Sequence, residues 1–90
     1  MDKNLLINEI KTVLINHGGV ASLKTIYHEV LQRNNFSFEG YKDYTVPIRK
    51  TIYEHSSNAD IFKGLPGDQS DIFYTVQGKG KGFWGLRKRN

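Results

Sequence analysis

Residues 70–90 of this chain have the sequence SDIFYTVQGKGKGFWGLRKRN, and this stretch decides the fold. It contains two short apolar segments, 72–76 and 83–86, on either side of a Gly-Lys-Gly-Lys-Gly sequence. Apolar runs that are interrupted by glycines are typical of two β-strands joined by a turn. The stretch therefore predicts a β-hairpin with a flexible, lysine-bearing tip.

The charge of the chain is concentrated at the same end. Residues 1–76 contain eight Lys/Arg and nine Asp/Glu, a net charge of −1. Residues 77–90 contain five Lys/Arg and no acid, so their +5 accounts for the whole net charge of +4. Such an asymmetry indicates a polyanionic partner, most often nucleic acid.

Apolar side chains at helical spacing predict three helices upstream of the hairpin, over about residues 4–17, 22–34 and 45–57. Ser22 and Thr45 are the expected N-caps of the second and third helices. Between the first two helices, residues 20–21 are predicted to be extended. The expected inward faces are Leu6, Ile10, Val13, Leu14 and His17 on the first helix, Leu23, Ile26, Tyr27, Val30 and Leu31 on the second, and Ile48, Ile52 and His55 on the third.

The order of these elements is that of a winged helix-turn-helix, an α+β fold of three helices followed by a C-terminal hairpin called the wing. We predict one such domain over residues 1–90, with the wing over about 70–87. Residues 36–44 contain four aromatic side chains and are predicted to form a packed loop over the core. Ninety residues can build one small core, which is a poor frame for a deep enzyme cleft.

Three segments carry a resemblance to a known family: HGGVASLKTIY at 17–27, IRKTIYEHSS at 48–57 and DIFYTVQGKGKGFWGLR at 71–87. Together they resemble the winged-helix modules of bacterial HNH- and Mrr-type restriction endonucleases, which are related to HARE-type helix-turn-helix domains. The resemblance covers residues 5–88. It implies that the chain binds double-stranded DNA, including methylated DNA, as the targeting module of a restriction or defence protein. The chain departs from the family pattern because it contains no nuclease domain, so we expect either an N-terminal fragment of a longer protein, with a fused or associated nuclease, or a chain that acts alone.

The third helix is the expected recognition helix, since the major groove of DNA admits one helix whose exposed side chains contact base edges. The Arg49 guanidinium can donate two hydrogen bonds to guanine, and Lys50 can reach a base or a phosphate. Tyr53 is expected to pack on the methyl group of thymine or 5-methylcytosine. An ordinary solvated helix face is the alternative. The candidate contacts on this helix are Thr45, Val46, Arg49, Lys50 and Tyr53.

A second group of residues is expected to contact phosphates. Ser22 and Lys24 lie at the start of the second helix, where free N–H groups attract anions. Lys79 and Lys81 lie among the glycines of the wing, and Arg87 follows its second strand. The alternatives are a solvated hairpin tip and a solvated basic tail.

Trp84 and Phe83 are neighbours in the second strand of the wing, so their side chains point to opposite faces. We expect Trp84 to pack into the core, together with most of the other aromatic side chains. An aromatic cage for a methylated or flipped base stays open as an alternative.

Several function classes lack a sequence signal. The chain has no cysteine, and its histidines, at 17, 28 and 55, lack zinc-ligand spacing, so we expect neither metal nor cofactor. We find no nucleophile accompanied by a base and an orienting acid, so the domain is predicted to be non-catalytic. The chain has no apolar run of about 18 residues and no secretory signal, which favours a cytoplasmic protein without a membrane partner.

Two functions remain as hypotheses. The first is binding of double-stranded DNA through the third helix and the wing. The second is a protein-interaction winged helix, or a small phage or bacterial effector, because residues 1–76 are nearly neutral and Glu54 and Asp60 lie near the recognition helix.

Overall fold

The computed structural model describes residues 3–78 and 82–87. Three helices and three strands follow one another as α1 (Lys3–Asn16), β1 (Val20–Ser22), α2 (Leu23–Arg33), α3 (Thr45–Glu54), β2 (Phe73–Thr75) and β3 (Phe83–Leu86). The strands form an antiparallel sheet in the order β1-β3-β2, so the extended segment after α1 pairs with the wing hairpin. This is the predicted α+β arrangement of a winged helix.

The boundaries of α1 and α2 follow the sequence signals. Gly18 and Gly19 have φ values of 77° and 103°, which end α1 at little steric cost. The Ser22 hydroxyl accepts a hydrogen bond from the Thr25 N–H at 3.0 Å and is the N-cap of α2, as predicted. Asn34, at φ 53°, ends α2 in the left-handed conformation.

Both ends of α3 differ from the prediction. Thr45 is the first helical residue and not the cap, because the Asp43 carboxylate accepts hydrogen bonds from the Thr45 N–H (2.9 Å) and Oγ1 (2.6 Å). The helix ends at Glu54 and not at residue 57. Beyond that point the backbone pairs with the segment that enters β2: the Ser57 N–H donates to Asp71 Oδ1 at 2.9 Å, and the His55 carbonyl accepts from the Ile72 N–H at 2.8 Å.

One core joins the helices to the inner face of the sheet. Trp84 is 3% exposed, which confirms that it packs inward. Leu31 is 44% exposed, so its assignment to the apolar face of α2 was wrong. At about 100° of rotation per residue, Leu31 lies well off the line of Ile26 and Val30. The core cluster consists of Leu6, Ile10, Val13, Leu14, Ala21, Ile26, Val30, Phe36, Ile48, Ile52, Phe73 and Trp84.

The connection between α2 and α3 is the packed aromatic loop that the composition predicts. Phe36 is buried, and the ring of Phe38 makes edge-on contacts with Phe36, Tyr41 and Tyr44 at centroid distances of 4.9, 6.4 and 5.9 Å. These contacts fix the loop beside the start of α3.

Candidate nucleic-acid interface

The five predicted contact residues of α3 lie on one arc of the helix. Its buried residues are Pro47, Ile48, Thr51, Ile52 and Glu54, and at about 100° per residue they cover the opposite side. Val46 and Lys50 are exposed, while Thr45, Arg49 and Tyr53 are half-buried. The structure therefore brings these five side chains together in what we call the α3 arc.

One edge of the α3 arc contacts α2 and the wing. Burial raises the pKa of the Tyr27 hydroxyl, and the adjacent Arg49 guanidinium opposes that shift through a hydrogen bond and its charge. Hydrogen bonds from Thr45 lower the pKa of Asp43, and the charge of Arg49 adds to that effect. Arg49 thus lies close enough to the Tyr27 hydroxyl and the Asp43 carboxylate to affect the pKa of each. Sequence reasoning missed both partners, although Asp43 stands two residues before the predicted cap, where a capping carboxylate is common.

Tyr53 joins the same edge to the wing. Its ring lies 5.3 Å from that of Trp84 between centroids, at an interplanar angle of 37°. The packing fixes α3 against β3. It also leaves Tyr53 half-buried, so only part of its ring faces the α3 arc.

The other edge of the α3 arc borders a small apolar groove. Val46 and Lys50 line a cavity of about 180 Å³ together with Leu6, Phe36 and Tyr41. Val46 is 44% exposed and Tyr41 is 37% exposed, so the rim of this groove is accessible.

The carboxylate of α3 does not lie on the arc. Glu54 is 4% exposed, and its Oε2 lies 3.2 Å from Lys63 Nζ. An ion pair of this kind reduces the repulsion that Glu54 would exert on a phosphate. Arg49 and Lys50 are then the charges that α3 presents on its exposed side.

Ser22 and Lys24 lie at the start of α2, as predicted, but two of the N–H groups there are already bonded. The Thr25 N–H donates to Ser22 Oγ, and the Leu23 N–H donates to the Gly82 carbonyl at 2.7 Å. Lys24 is exposed and lines an open depression with Tyr27. Its ammonium group, and not the helix terminus, is therefore the main candidate phosphate contact at this position.

Arg87 has extensive contacts within the protein. Its Nε donates to the Phe73 carbonyl at 2.9 Å and lies 2.9 Å from Asp71 Oδ1. Its Nη2 donates to Ser57 Oγ and to Asn58 Oδ1, both at 3.1 Å. In the structure, Arg87 therefore joins β3 to the segment after α3. Its position in a basic tail had indicated a phosphate contact and not this structural role.

Asp71 is the centre of that network. It is 2% exposed, and its two oxygens accept hydrogen bonds from the Ser57 and Gly67 N–H groups at 2.9 Å each. Burial by itself raises the pKa of Asp71, but these hydrogen bonds and the charge of Arg87 outweigh it, and the pKa is lowered. Asp71 is therefore a buried anion that the fold is built to hold.

Lys79 and Lys81 lie outside the described residues. The described ends of their loop are Gly78 and Gly82, with φ values of 88° and 77°. Because the Gly82 carbonyl accepts from Leu23, the base of the wing is fixed to the start of α2.

His17 and His55 have contacts within the protein, but His17 is exposed, so its expected place on the inward face of α1 was wrong. His17 Nε2 lies 2.6 Å from Glu29 Oε2, and His55 Nδ1 lies 3.1 Å from the Ser70 carbonyl oxygen. Among the described residues, no group of three or more His, Asp or Glu side chains could hold a metal ion. Within residues 3–78 and 82–87, no helix combines the length and the apolar character needed to cross a membrane.

Comparison with protein-family models, curated proteins and solved structures finds no match to this chain. The fold and the geometry described above are therefore the basis for any functional conclusion.

Proposed function

We propose that this chain binds double-stranded DNA by placing the α3 arc in the major groove. The observation that carries the proposal is the arrangement of charge on α3: Arg49 and Lys50 are on the exposed side, while Glu54 is buried beside Lys63. The contact between Tyr53 and Trp84 holds the wing strand against the same helix. A cationic helix face and a basic wing sequence support duplex binding, because a helix can enter the major groove while cations neutralise phosphates.

In this proposal the residues have different roles. Arg49, which lies near Tyr27 and Asp43, donates to the edge of a guanine, and such contacts provide sequence preference. Lys50, Lys24 and the wing lysines contact phosphates, which provide affinity. As a cytoplasmic targeting module, the domain would direct a fused or associated nuclease of a restriction or defence system to its site.

The test compares the parent chain with single variants on duplexes selected from a random pool. Arg49→Ala is expected to weaken binding to the preferred duplex by about 1–3 kcal/mol and to relax the preference at one base pair. Lys50→Ala is expected to weaken binding to all duplexes alike. Lys11→Ala is the matched control, because Lys11 lies in a depression that none of the α3 residues lines and whose one other cation among the described residues, Arg87, is paired with Asp71. Equal losses in Arg49→Ala and Lys11→Ala would contradict the proposal.

Recognition of modified bases is a narrower version of the same proposal, motivated by the resemblance and by the place of Tyr53 on the α3 arc. Matched duplexes that are plain, or that contain N6-methyladenine or 5-methylcytosine, separate the two versions. Tighter binding to one modified duplex, lost in Tyr53→Ala, supports it. Equal affinity for all of them would exclude it.

Protein binding is the second candidate function, and the exposed groove beside Val46 and Tyr41 favours it. The two functions respond differently to charge reversal in the wing. Lys79→Glu combined with Lys81→Glu should abolish duplex binding and leave a protein contact at the groove intact. A chain that binds no duplex at low salt would leave protein binding as the better proposal.

A further inference from the structure

The register of the sheet separates an inner face from an outer face. Trp84 pairs with Ala21 and Thr75, and these residues face the helices. Gly85 pairs with Val20 and Tyr74, so Val20 and Tyr74 belong to the opposite, outer face. Because side chains alternate along a strand, Phe83 also lies on this outer face.

Apart from Ser22, which pairs with Phe83, the outer face is apolar and aromatic where a solvated sheet is usually polar. Phe83 is 40% exposed, and its neighbour across the hairpin, Val76, is 39% exposed. The ring of Tyr74 lies against Gly85, where a Cβ atom would come within 2.5 Å of the Tyr74 ring. Since Phe83 is two residues from the partner of Tyr74, the two side chains are diagonal neighbours, about 7–8 Å apart.

The sequence on either side of these strands indicates which partner the face fits. The sequences of β2 and β3, FYT and FWGL, contain no acid. Lys79 and Lys81 precede β3 in the chain, and Arg87, Lys88 and Arg89 follow it. The Arg87 guanidinium carbon lies 5.8 Å from the centroid of the Tyr74 ring. Arg87 itself is paired with Asp71, so the lysines that precede β3 in the chain are the candidate phosphate contacts. The exposed ring of Phe83 and the half-buried ring of Tyr74, combined with such cations, are features that bind unpaired nucleotides, because the bases stack on the rings and the cations meet the phosphates.

We propose that the outer face of the sheet binds single-stranded DNA, with unpaired bases stacked on Phe83 and Tyr74. This surface is separate from the α3 arc, because the inward-pointing Trp84 and its contact with Tyr53 lie on the other side of β3. The inference therefore does not depend on duplex binding by α3.

The test uses two labelled ligands of about 12 nucleotides, oligothymidine and an abasic oligomer with the same number of phosphates. The parent chain should bind oligothymidine more tightly, because only that ligand has bases to stack. Phe83→Leu should weaken oligothymidine binding by at least about fivefold and leave abasic binding unchanged. Phe83→Tyr, which keeps a ring, should retain the affinity. Tyr41→Leu is the control, because it removes a ring of similar exposure (37%) from the aromatic loop.

Three results would overturn the proposal. The parent could bind the two ligands equally, or Phe83→Leu and Phe83→Tyr could change oligothymidine binding equally. The third is a Phe83→Leu variant that keeps oligothymidine binding but loses self-association, which would make the face a contact between two copies of the chain. Circular dichroism and the emission of Trp84 verify that each variant is folded. Arg49→Ala should weaken duplex binding alone, so failure of the duplex proposal is distinguishable from failure of this one.

Discussion

Arg49 and Arg87 show how differently one residue type is used in this protein. Arg87 donates through Nε and Nη2 to backbone and side-chain oxygens and pairs with the buried Asp71. Arg49 contacts the Tyr27 hydroxyl and lies in the field of Asp43. A hydroxyl is readily exchanged for a base edge, whereas a buried carboxylate left without its cation is strongly destabilising. In the proposed duplex complex, recognition therefore falls to Arg49, whereas the contacts of Arg87 contribute to stability.

The lowered pKa of Asp71 predicts how the stability of the protein depends on pH. Its folded pKa is lowered, so its contribution to stability is fully present above the unfolded value of about 3.9 and is lost as the pH falls through the folded pKa. Asparagine offers one acceptor oxygen to the two N–H groups of Ser57 and Gly67. Asp71→Asn should thus lower the free energy of unfolding at pH 7 by about 1–3 kcal/mol. The loss should shrink below about pH 4, as measured by urea denaturation across pH.

Glu39→Gln is the control for this experiment, since Glu39 is exposed on the aromatic loop. Its pH curve should parallel that of the parent. Some acid sensitivity should remain in Asp71→Asn, because a hydrogen bond from Arg33 also lowers the pKa of Glu9. A curve for Asp71→Asn that runs parallel to the parent curve would contradict the assignment.

The start of α2 connects stability with the proposed phosphate contacts. Ser22 caps the helix, and the neighbouring Leu23 N–H is bonded to the Gly82 carbonyl at the base of the wing. Ser22→Ala should lower the free energy of unfolding by about 1 kcal/mol, because the Thr25 N–H loses its acceptor. Ser22→Asp should keep the stability, since aspartate is also a good cap, yet it places a negative charge beside Lys24. Its duplex affinity should therefore fall below that of Ser22→Ala, as measured by fluorescence anisotropy.

Two outcomes would count against this account of α2. If Ser22→Ala is as stable as the parent, the hydrogen bond to Thr25 contributes nothing. If Ser22→Asp binds duplex as tightly as the parent, no phosphate lies near the start of α2.

The order of the elements was predictable because its signals are local. Glycines end α1, Ser22 starts α2, and apolar alternation marks the wing. The ends of α3 were not predictable in the same way. Tyr44 and not Thr45 stands at the N-cap, and the Thr45 N–H donates to the preceding Asp43 side chain. Asp71, fourteen residues beyond Ser57, provides the acceptor that replaces a helical hydrogen bond. Tertiary packing determines these hydrogen-bond partners, and the periodicity of the sequence does not reveal which residues they are.

The same distinction applies to the candidate site. Helical spacing was enough to place Arg49, Lys50 and Tyr53 on one arc. The inward Trp84 followed from strand alternation together with the need for one apolar face. The contact of Arg87 with Asp71 and the flat packing of Tyr74 on Gly85 depend on the pairing of β2 with β3. These contacts emerge only when the strands are brought together.

For the molecule as a whole, the decisive feature is that the positive net charge lies in the C-terminal segment that follows the three helices. Residues 1–76 supply the three helices and carry a net charge of −1, while residues 77–90 carry +5. The hairpin strand β3 is the central strand of the sheet, so the basic segment is anchored through the middle of the fold.

The salt dependence of duplex binding tests this division directly. Each phosphate contact contributes about 0.9 to the slope of log affinity against log salt concentration, because binding releases condensed counterions. Lys79→Gln and Lys81→Gln should each reduce the magnitude of that slope by about this amount. Lys11→Gln removes the same charge from α1, beside Gln69 and Leu86, and should leave the slope unchanged. If Lys11→Gln lowers the slope as much as the wing variants do, net charge alone governs binding, and the wing has no specific role in holding the phosphates.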